Sequence, residues 1–270
     1  SSATLGDDDK LSWFTQPCGL AGAQILRVGS PFDYAVQAAV YVPHDFPKPG
    51  EPSHMLRVAE SAAIWARRLG GRTMVLTTTL RALRGIADAL RESFKDSGDL
   101  EVLAQGDLPK RVLIERFRRG SDAGEVGCIL VASASFWEGI DVPGEALQMV
   151  IIDKLPFASP GDPLVAARLK SIEERGGSSF GEYQLPSAAI TLKQGFGRLI
   201  RRGERHVGRG QHVHHLVRIV SGIYLTIKVK IMKLSQAKSV IAIICAVATA
   251  AAHSVEILGL PGPNGKRAVI

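Results

Sequence analysis

The chain has 270 residues and a mass of 28.9 kDa, room for one large domain or two small ones and too little for a large multidomain assembly. Hydrophobic residues at 46% and charged residues at 22% exclude a wholly disordered or fibrous chain. The net charge of +7 lies in the last quarter, where residues 203–270 carry nine Lys or Arg against Glu204 and Glu256, so the remaining body is neutral.

In chain order, residues 1–10 (SSATLGDDDK) are polar and acidic, the opposite of a secretory signal, and the absence of an initial Met reads as a fragment or a processed product. Residues 30–52 carry Pro31, Pro43, Pro47, Pro49 and Pro52 and read as an extended connector. A helix is predicted over 55–69, stopped by Gly70 and Gly71, and a buried strand over 73–77 (TMVLT). Leu80, Leu83, Ala87, Leu90 and Phe94 repeat at three- and four-residue intervals, the apolar stripe of an amphipathic helix. A strand over 101–104 and a helix over 111–119 follow, then apolar strands over 126–132 (VGCILVA) and 149–152 (MVII). Strands with no polar face, alternating with helices, predict a parallel sheet covered on both sides. Proline-opened helices are expected over 163–175 and 186–200. After Arg202 the rhythm breaks: 203–215 mixes Gly, Arg and His without period, and 240–252 is apolar but too short for a membrane span.

The cysteines, Cys18, Cys128 and Cys245, are more than a hundred residues apart and show no metal-site spacing, which suits a reduced, cytoplasmic protein. Four segments carry chemistry, one of which, SSATL at residues 1–5, is a hydroxyl-rich piece that means nothing alone. Residues 132–144 (ASASFWEGIDVPG) follow a buried strand, where loops of a parallel sheet gather around ligands. Glu138, Gly139 and Asp141 place two carboxylates and a flexible joint there, beside Ser135, Phe136 and Trp137; a turn with a capping Asp is the plainer account. Residues 192–202 (LKQGFGRLIRR) set Gln194, Arg198 and Arg201 at i, i+4 and i+7, one face of a helix and a multi-donor surface for phosphate oxygens. A solvated cationic face is the plainer account, but Gly195 and Gly197 are poor choices for a helix selected on stability alone. Thr77, Thr78 and Thr79 sit at a strand-to-helix junction that could hold a phosphate or serve as a helix cap.

Taken in order, SSATL, SPFDY, GGRTMVLTTTLRAL, Gln105-Gly106, SFWEGIDVPG, DKLPF and LKQGFGRLIR resemble the C-terminal half of bacterial DinG/YoaA-type helicases, XPD-like members of helicase superfamily 2. The resemblance covers about residues 1–202. It implies an α/β, RecA-like doubly wound parallel sheet, the second of two lobes with ATP between them. Residues 1–52 would be the end of the first lobe and a connector, 53–202 the second lobe, and 203–270 an atypical basic tail. By resemblance, SSATL and SFWEGID couple the nucleotide site to DNA, with Glu138, Gly139 and Asp141 as the link. Gln194, Arg198 and Arg201, with Gly195 and Gly197 between, face the ATP phosphates. Thr77, Thr78, Thr79, Ser135, Phe136 and Trp137 lie along the nucleic acid, although Thr77–Thr79 depart from the family's Phe-Thr-Ser-His-like pattern.

The implied cofactor is ATP with Mg²⁺, held mainly by a first lobe. The chain contains no GxxxxGK[ST], no Asp-Glu-x-His box and no cysteine quartet for the iron–sulfur cluster of these relatives. Single-stranded or forked DNA is the implied partner; no membrane is. The tail lacks the acidic turn and apolar strand that the family carries after LIRR, so the sheet is expected to lack its final strand. A reading-frame shift near Arg202 is the favoured explanation, ahead of a fused segment or divergence. The rival reading is a non-catalytic nucleic-acid-binding α/β module, and a weaker one makes the tail a membrane or RNA anchor.

Overall fold

A computed structural model describes residues 9–20, 22–28, 38–41, 43, 46–133, 136, 142, 146–196 and 215–219. After a helical turn α1 (Ser12–Thr15), strand β1 (Ala38–Tyr41) is followed by α2 (Pro52–Leu69), β2 (Thr73–Thr77), α3 (Leu80–Phe94) and β3 (Leu100–Ala104). Next come α4 (Lys110–Arg119), β4 (Gly127–Ser133), β5 (Met149–Ile152), α5 (Pro163–Glu174), a π-helical turn (Phe180–Gln184), α6 (Leu185–Phe196) and β6 (His215–Ile219). The six strands form one sheet in the order β1-β6-β5-β2-β4-β3, and every pairing is parallel.

The central strands are buried on both faces because their sequences offer no polar side to solvent. All five residues of β2 and all four of β5 are buried, as are six of the seven in β4. On one face Val75, Ile129, Val131 and Ile151 pack against Val58, Ala62 and Ala66 of α2 and Leu83, Ile86 and Leu90 of α3. On the other, Met74, Leu76, Leu130 and Ile152 meet Leu113 and Phe117 of α4 and Leu192 of α6. Each such aliphatic side chain contributes about 1.5–3 kcal/mol on burial. The α/β doubly wound sheet expected from the sequence is the one observed.

Local signals set the element ends. Pro52 opens α2, and Gly70, left-handed at φ 59°, closes it by donating its N–H to the Ala66 carbonyl. A Cβ on Gly127 would stand 2.1 Å from the Gly70 carbonyl oxygen, so a glycine is needed where β4 starts against that turn. Thr79 caps α3, its hydroxyl oxygen accepting from the Ala82 N–H at 3.2 Å. Thr79→Ala is expected to cost about 1 kcal/mol, read as a lower urea midpoint at unchanged slope.

Two strands differ from the sequence reading. β6 lies between β5 and β1, with Met149 opposite Leu216 and Ala38 opposite His215, so the sheet has a strand drawn from the segment expected to leave it incomplete. Its five residues, HLVRI, hold three aliphatics, enough for a short strand once flanking strands supply the ladder. β1 falls inside the proline-punctuated stretch read as connector and joins the same sheet. The rest of 203–270, including the apolar run 240–252, lies outside the described residues. Among the described residues, no helix is long and apolar enough to cross a membrane.

Candidate nucleotide- and nucleic-acid-facing edge

Because the strands are parallel, β2, β3, β4 and β5 deliver Thr77, Ala104, Ser133 and Ile152 to one edge, where ligands of open α/β sheets bind. Two of the chemistry-bearing segments, Thr77–Thr79 after β2 and the one that continues β4 beyond Ser133, leave from that edge.

At the end of β2, Thr77 is fully buried, and its hydroxyl lies 3.3 Å from the carbonyl oxygens of Ala132 and Thr79. Thr77 therefore braces β2 against β4 and shapes the turn; its side chain has no face for a nucleic acid. Thr78 is partly buried and its N–H donates to Asp153 Oδ1 at 3.2 Å. The backbone donor that a phosphate could have used is thus taken by a carboxylate. Thr79, the α3 cap, is exposed.

Asp153 is the residue that sequence reasoning missed. It follows β5 directly and is 1% exposed. Among the described residues, its Oδ2 and the buried hydroxyl of Thr78 have no hydrogen-bond partner. Burial pushes the Asp153 carboxyl up to about 6, against the pull of the nearby Lys154 and His54 charges and of the Lys154 and Thr78 backbone N–H groups. A buried carboxyl kept short of partners is costly, and such groups concentrate at functional sites. Its sequence signals were its place, a carboxylate just past an apolar strand, and its position at the head of DKLPF.

His54, also missed, is a buried residue of α2. Its Nδ1 lies 2.8 Å from the Pro47 carbonyl oxygen and its Nε2 3.1 Å from that of Asp153, while Phe46 meets the ring edge-on. The imidazole therefore ties the segment before α2 to the exit of β5. A histidine on an apolar helix face gave no hint of a partner 99 residues away.

At the exits of β3 and β4, Gln105 Oε1 accepts from both the N–H and the hydroxyl of Ser133, each at 2.8 Å. Of the loop beyond Ser133, Phe136 and Val142 are described. Phe136, expected beside the nucleic acid, is 4% exposed and joins the core around Leu113 and Phe117, with Lys110 Nζ 4.9 Å from its ring centroid. This is a correction: a large ring gains more by burial in the core than by standing in water. Ser135, Trp137, Glu138, Gly139 and Asp141 lie outside the described residues.

In α6, Leu192 is buried in the core and Gln194 is partly buried. The helix runs through Gly195 to Phe196. Gly197, Arg198 and Arg201 lie outside the described residues.

Cys128 is buried, and desolvation pushes its thiol up to about 11, so it is a packing residue and not a nucleophile. Among the described residues, no group of three or more His, Cys, Asp or Glu could hold a metal ion. Three cysteines in the whole chain cannot supply the four thiolates of an iron–sulfur cluster.

Comparison with known proteins assigns the chain to a family. The model of the helicase C-terminal domain matches residues 65–207, more than half of the chain. The ATP-dependent DNA helicase YoaA of Escherichia coli is 43% identical over 201 residues, 74% of this chain and 30% of that protein. The ATP-dependent helicase DinG of Mycobacterium tuberculosis is 38% identical over 178 residues, 66% of this chain and 26% of that protein. Among solved structures, S. tokodaii Xpd4 aligns over 73% of this chain and 37% of its own, at 13% identity and a TM-score of 0.43. The chain spans under a third of the length of the two curated relatives. With the parallel sheet and its loop-bearing edge, the match over 65–207 makes this chain a member of the helicase C-terminal domain family, the C-terminal region of a DinG/YoaA-type helicase.

Proposed function

We propose that the chain is the second RecA-like lobe of a motor that couples ATP hydrolysis to translocation on single-stranded or forked DNA. The observation that carries this reading is the family match over 65–207, which encloses both the 135–144 loop and the 192–201 segment. The names of the relatives, ATP-dependent DNA helicases, support ATP as fuel and DNA as track.

On this reading Gln194, Arg198 and Arg201 face the ATP phosphates, and Glu138, Gly139 and Asp141 couple that site to the strand. Thr78, Thr79, Ser135 and Trp137 lie towards the nucleic acid, while buried Thr77 and Phe136 shape the surface from below. Residues 1–52 connect to a first lobe, which would hold Mg²⁺ and the triphosphate and any iron–sulfur cluster that the intact protein carries. The protein works in the cytoplasm.

The test is DNA-stimulated ATP hydrolysis. The 270-residue chain alone is expected to show no turnover, with or without a single-stranded oligonucleotide, because no phosphate-binding loop is present in its sequence. The full-length enzyme is expected to hydrolyse ATP at a rate that rises with single-stranded DNA. Turnover by the isolated chain that survives a contaminant control, or a full-length enzyme indifferent to DNA, overturns the assignment. A full-length enzyme that binds DNA and hydrolyses nothing would favour the non-catalytic binding module.

A further inference from the structure

We propose that Tyr183 is a positioning residue: its ring holds the segment around Trp13 against the turn at the foot of α6, the helix that carries Gln194. The inference rests on the helicase reading for what α6 does, and on the contacts alone for how its foot is held.

Between α5 and α6 the chain makes a π-helical turn, Phe180–Gln184, in which the Leu185 N–H donates to the Phe180 carbonyl. Turns of this kind are rare and are found mostly at functional sites. The residues before it pin this one. Glu182 accepts from the Ser178 N–H at 3.1 Å and pairs with Arg175 at 3.0 Å, and Ser178 Oγ accepts from the Gly181 N–H at 3.2 Å.

Its two aromatic side chains gather three separate parts of the chain. The Tyr183 ring stands 5.6 Å from that of Trp13 in α1, tilted by 32°, and the Arg168 guanidinium of α5 lies 5.6 Å from its centroid. The Phe180 ring stands 5.7 Å from that of Phe157, the last residue of DKLPF. Aromatic pairs at such separations attract beyond the area they bury. The turn that presents Trp13 is held as well: Thr15 is buried, and its hydroxyl lies 3.1 and 3.2 Å from the carbonyl oxygens of Lys10 and Leu11.

A cover for one tyrosine would need Trp13 alone. Here the same turn also meets Phe157 beyond β5 and leads directly into α6. At 1.5 Å per residue, Gln194 stands about 16 Å along from Tyr183, so a tilt of about 4° at the foot displaces it by about 1 Å. A shift of that size can cost much of the rate even when its cause lies far from the chemistry. Trp13 follows SSATL in the sequence, so on the helicase reading the contact joins the segment after one coupling motif to the helix of the phosphate-facing one.

Amide exchange of this chain tests the contact, comparing wild type, Tyr183→Leu, Tyr183→Phe and Trp13→Leu. The amides of Phe14, Thr15 and Leu20 are hydrogen-bonded, as are those of Gly181, Glu182 and Leu185, so both sides of the contact can be read. Tyr183→Leu is expected to speed exchange at Phe14, Thr15 and Leu20 about fivefold, and Trp13→Leu to do the same at Gly181, Glu182 and Leu185, with β2 and β5 unchanged. Tyr183→Phe keeps the ring and is expected to stay close to wild type. Unchanged exchange around Thr15 in Tyr183→Leu, uniform acceleration that includes β2 and β5, or equal loosening by Phe and Leu overturns the proposal.

In the full-length enzyme, Tyr183→Leu and Trp13→Leu are each expected to lower the DNA-stimulated kcat about tenfold with KM for ATP little changed, and Tyr183→Phe to retain most of it. Local loosening without any loss of kcat would also overturn the positioning role. A wild-type enzyme without ATPase, combined with the expected exchange pattern, would remove the helicase reading and leave the contact between the two segments standing.

Discussion

Arg201→Ala in the full-length enzyme is expected to lower kcat by about 10³-fold or more while ATP affinity changes little. The segment LKQGFGRLIR places Gln194, Arg198 and Arg201 at i, i+4 and i+7. Helix α6 brings the chain to Phe196, with Leu192 in the core and Gln194 only partly buried. On the proposed reading Arg201 is the last of these three positions, and its guanidinium meets charge developing on the transferred phosphoryl group. Such a contact is stronger in the transition state than in the ground state, so its loss falls on kcat and not on binding. Arg201→Lys is expected to recover little, because an ammonium cannot reproduce the planar fork. Arg202→Ala, one residue off that spacing, is the control and is expected to be mild. Steady-state kinetics at saturating single-stranded DNA decide it, and a larger loss for Arg202→Ala than for Arg201→Ala would put the helix in another register.

The fold was legible wherever burial on both faces left its mark on composition. β2, β4 and β5 are runs such as TMVLT and MVII, which no solvent-facing strand would carry. α3 was legible because Leu83, Ala87 and Leu90 repeat on one face and Thr79 announces its start. β1 and β6 were not, for the opposite reason: each is four or five residues long, set among prolines or among glycines and histidines. Each is a strand only because its neighbours complete the ladder. Tertiary pairing there outweighs local preference.

The candidate site divides in the same way. The Thr77–Thr79 junction could be read from strand, turn and helix signals in one short window. Gln105-Gly106 and DKLPF stood out as motifs, but the roles of Asp153, His54 and Gln105 were not legible, because their meaning lies in partners far along the chain: Thr78, the Asp153 carbonyl and Ser133 are 75, 99 and 28 residues away. Phe136 was misplaced because an aromatic beside charged loop residues looks exposed until the core beneath it is known.

The buried carboxyl of Asp153 leads to a pH-dependent result with a definite sign. Asp153 is expected to lower stability at neutral pH, and Asp153→Asn to raise it. Unfolded, the group titrates near its ordinary value of 3.8; in the fold, desolvation moves it up to about 6. The native state therefore holds the proton more tightly than the unfolded chain between those values. The contribution of Asp153 is most favourable below about pH 4, is lost as pH rises through about 6, and is flat above that. A shift of about two units corresponds to roughly 3 kcal/mol, an upper bound, since local relaxation and nearby positive charge offset part of it. Asparagine keeps an oxygen for the Thr78 N–H and removes the charge. Its advantage over wild type is thus expected to be about 1–3 kcal/mol at pH 7.5 and to shrink towards zero by pH 4.5. Urea midpoints of the two proteins at pH 4.5, 6.0 and 7.5 give the difference free of every other titrating group. A constant difference across that range, or an Asp153→Asn protein less stable at pH 7.5, would mean that Oδ2 has a strong partner and that the carboxylate is satisfied after all. If the difference follows the expected curve, the chain maintains an unfavourable charge beside Thr78 at the strand ends. Stability alone would not select that, whereas an edge that must meet a ligand gives it a reason.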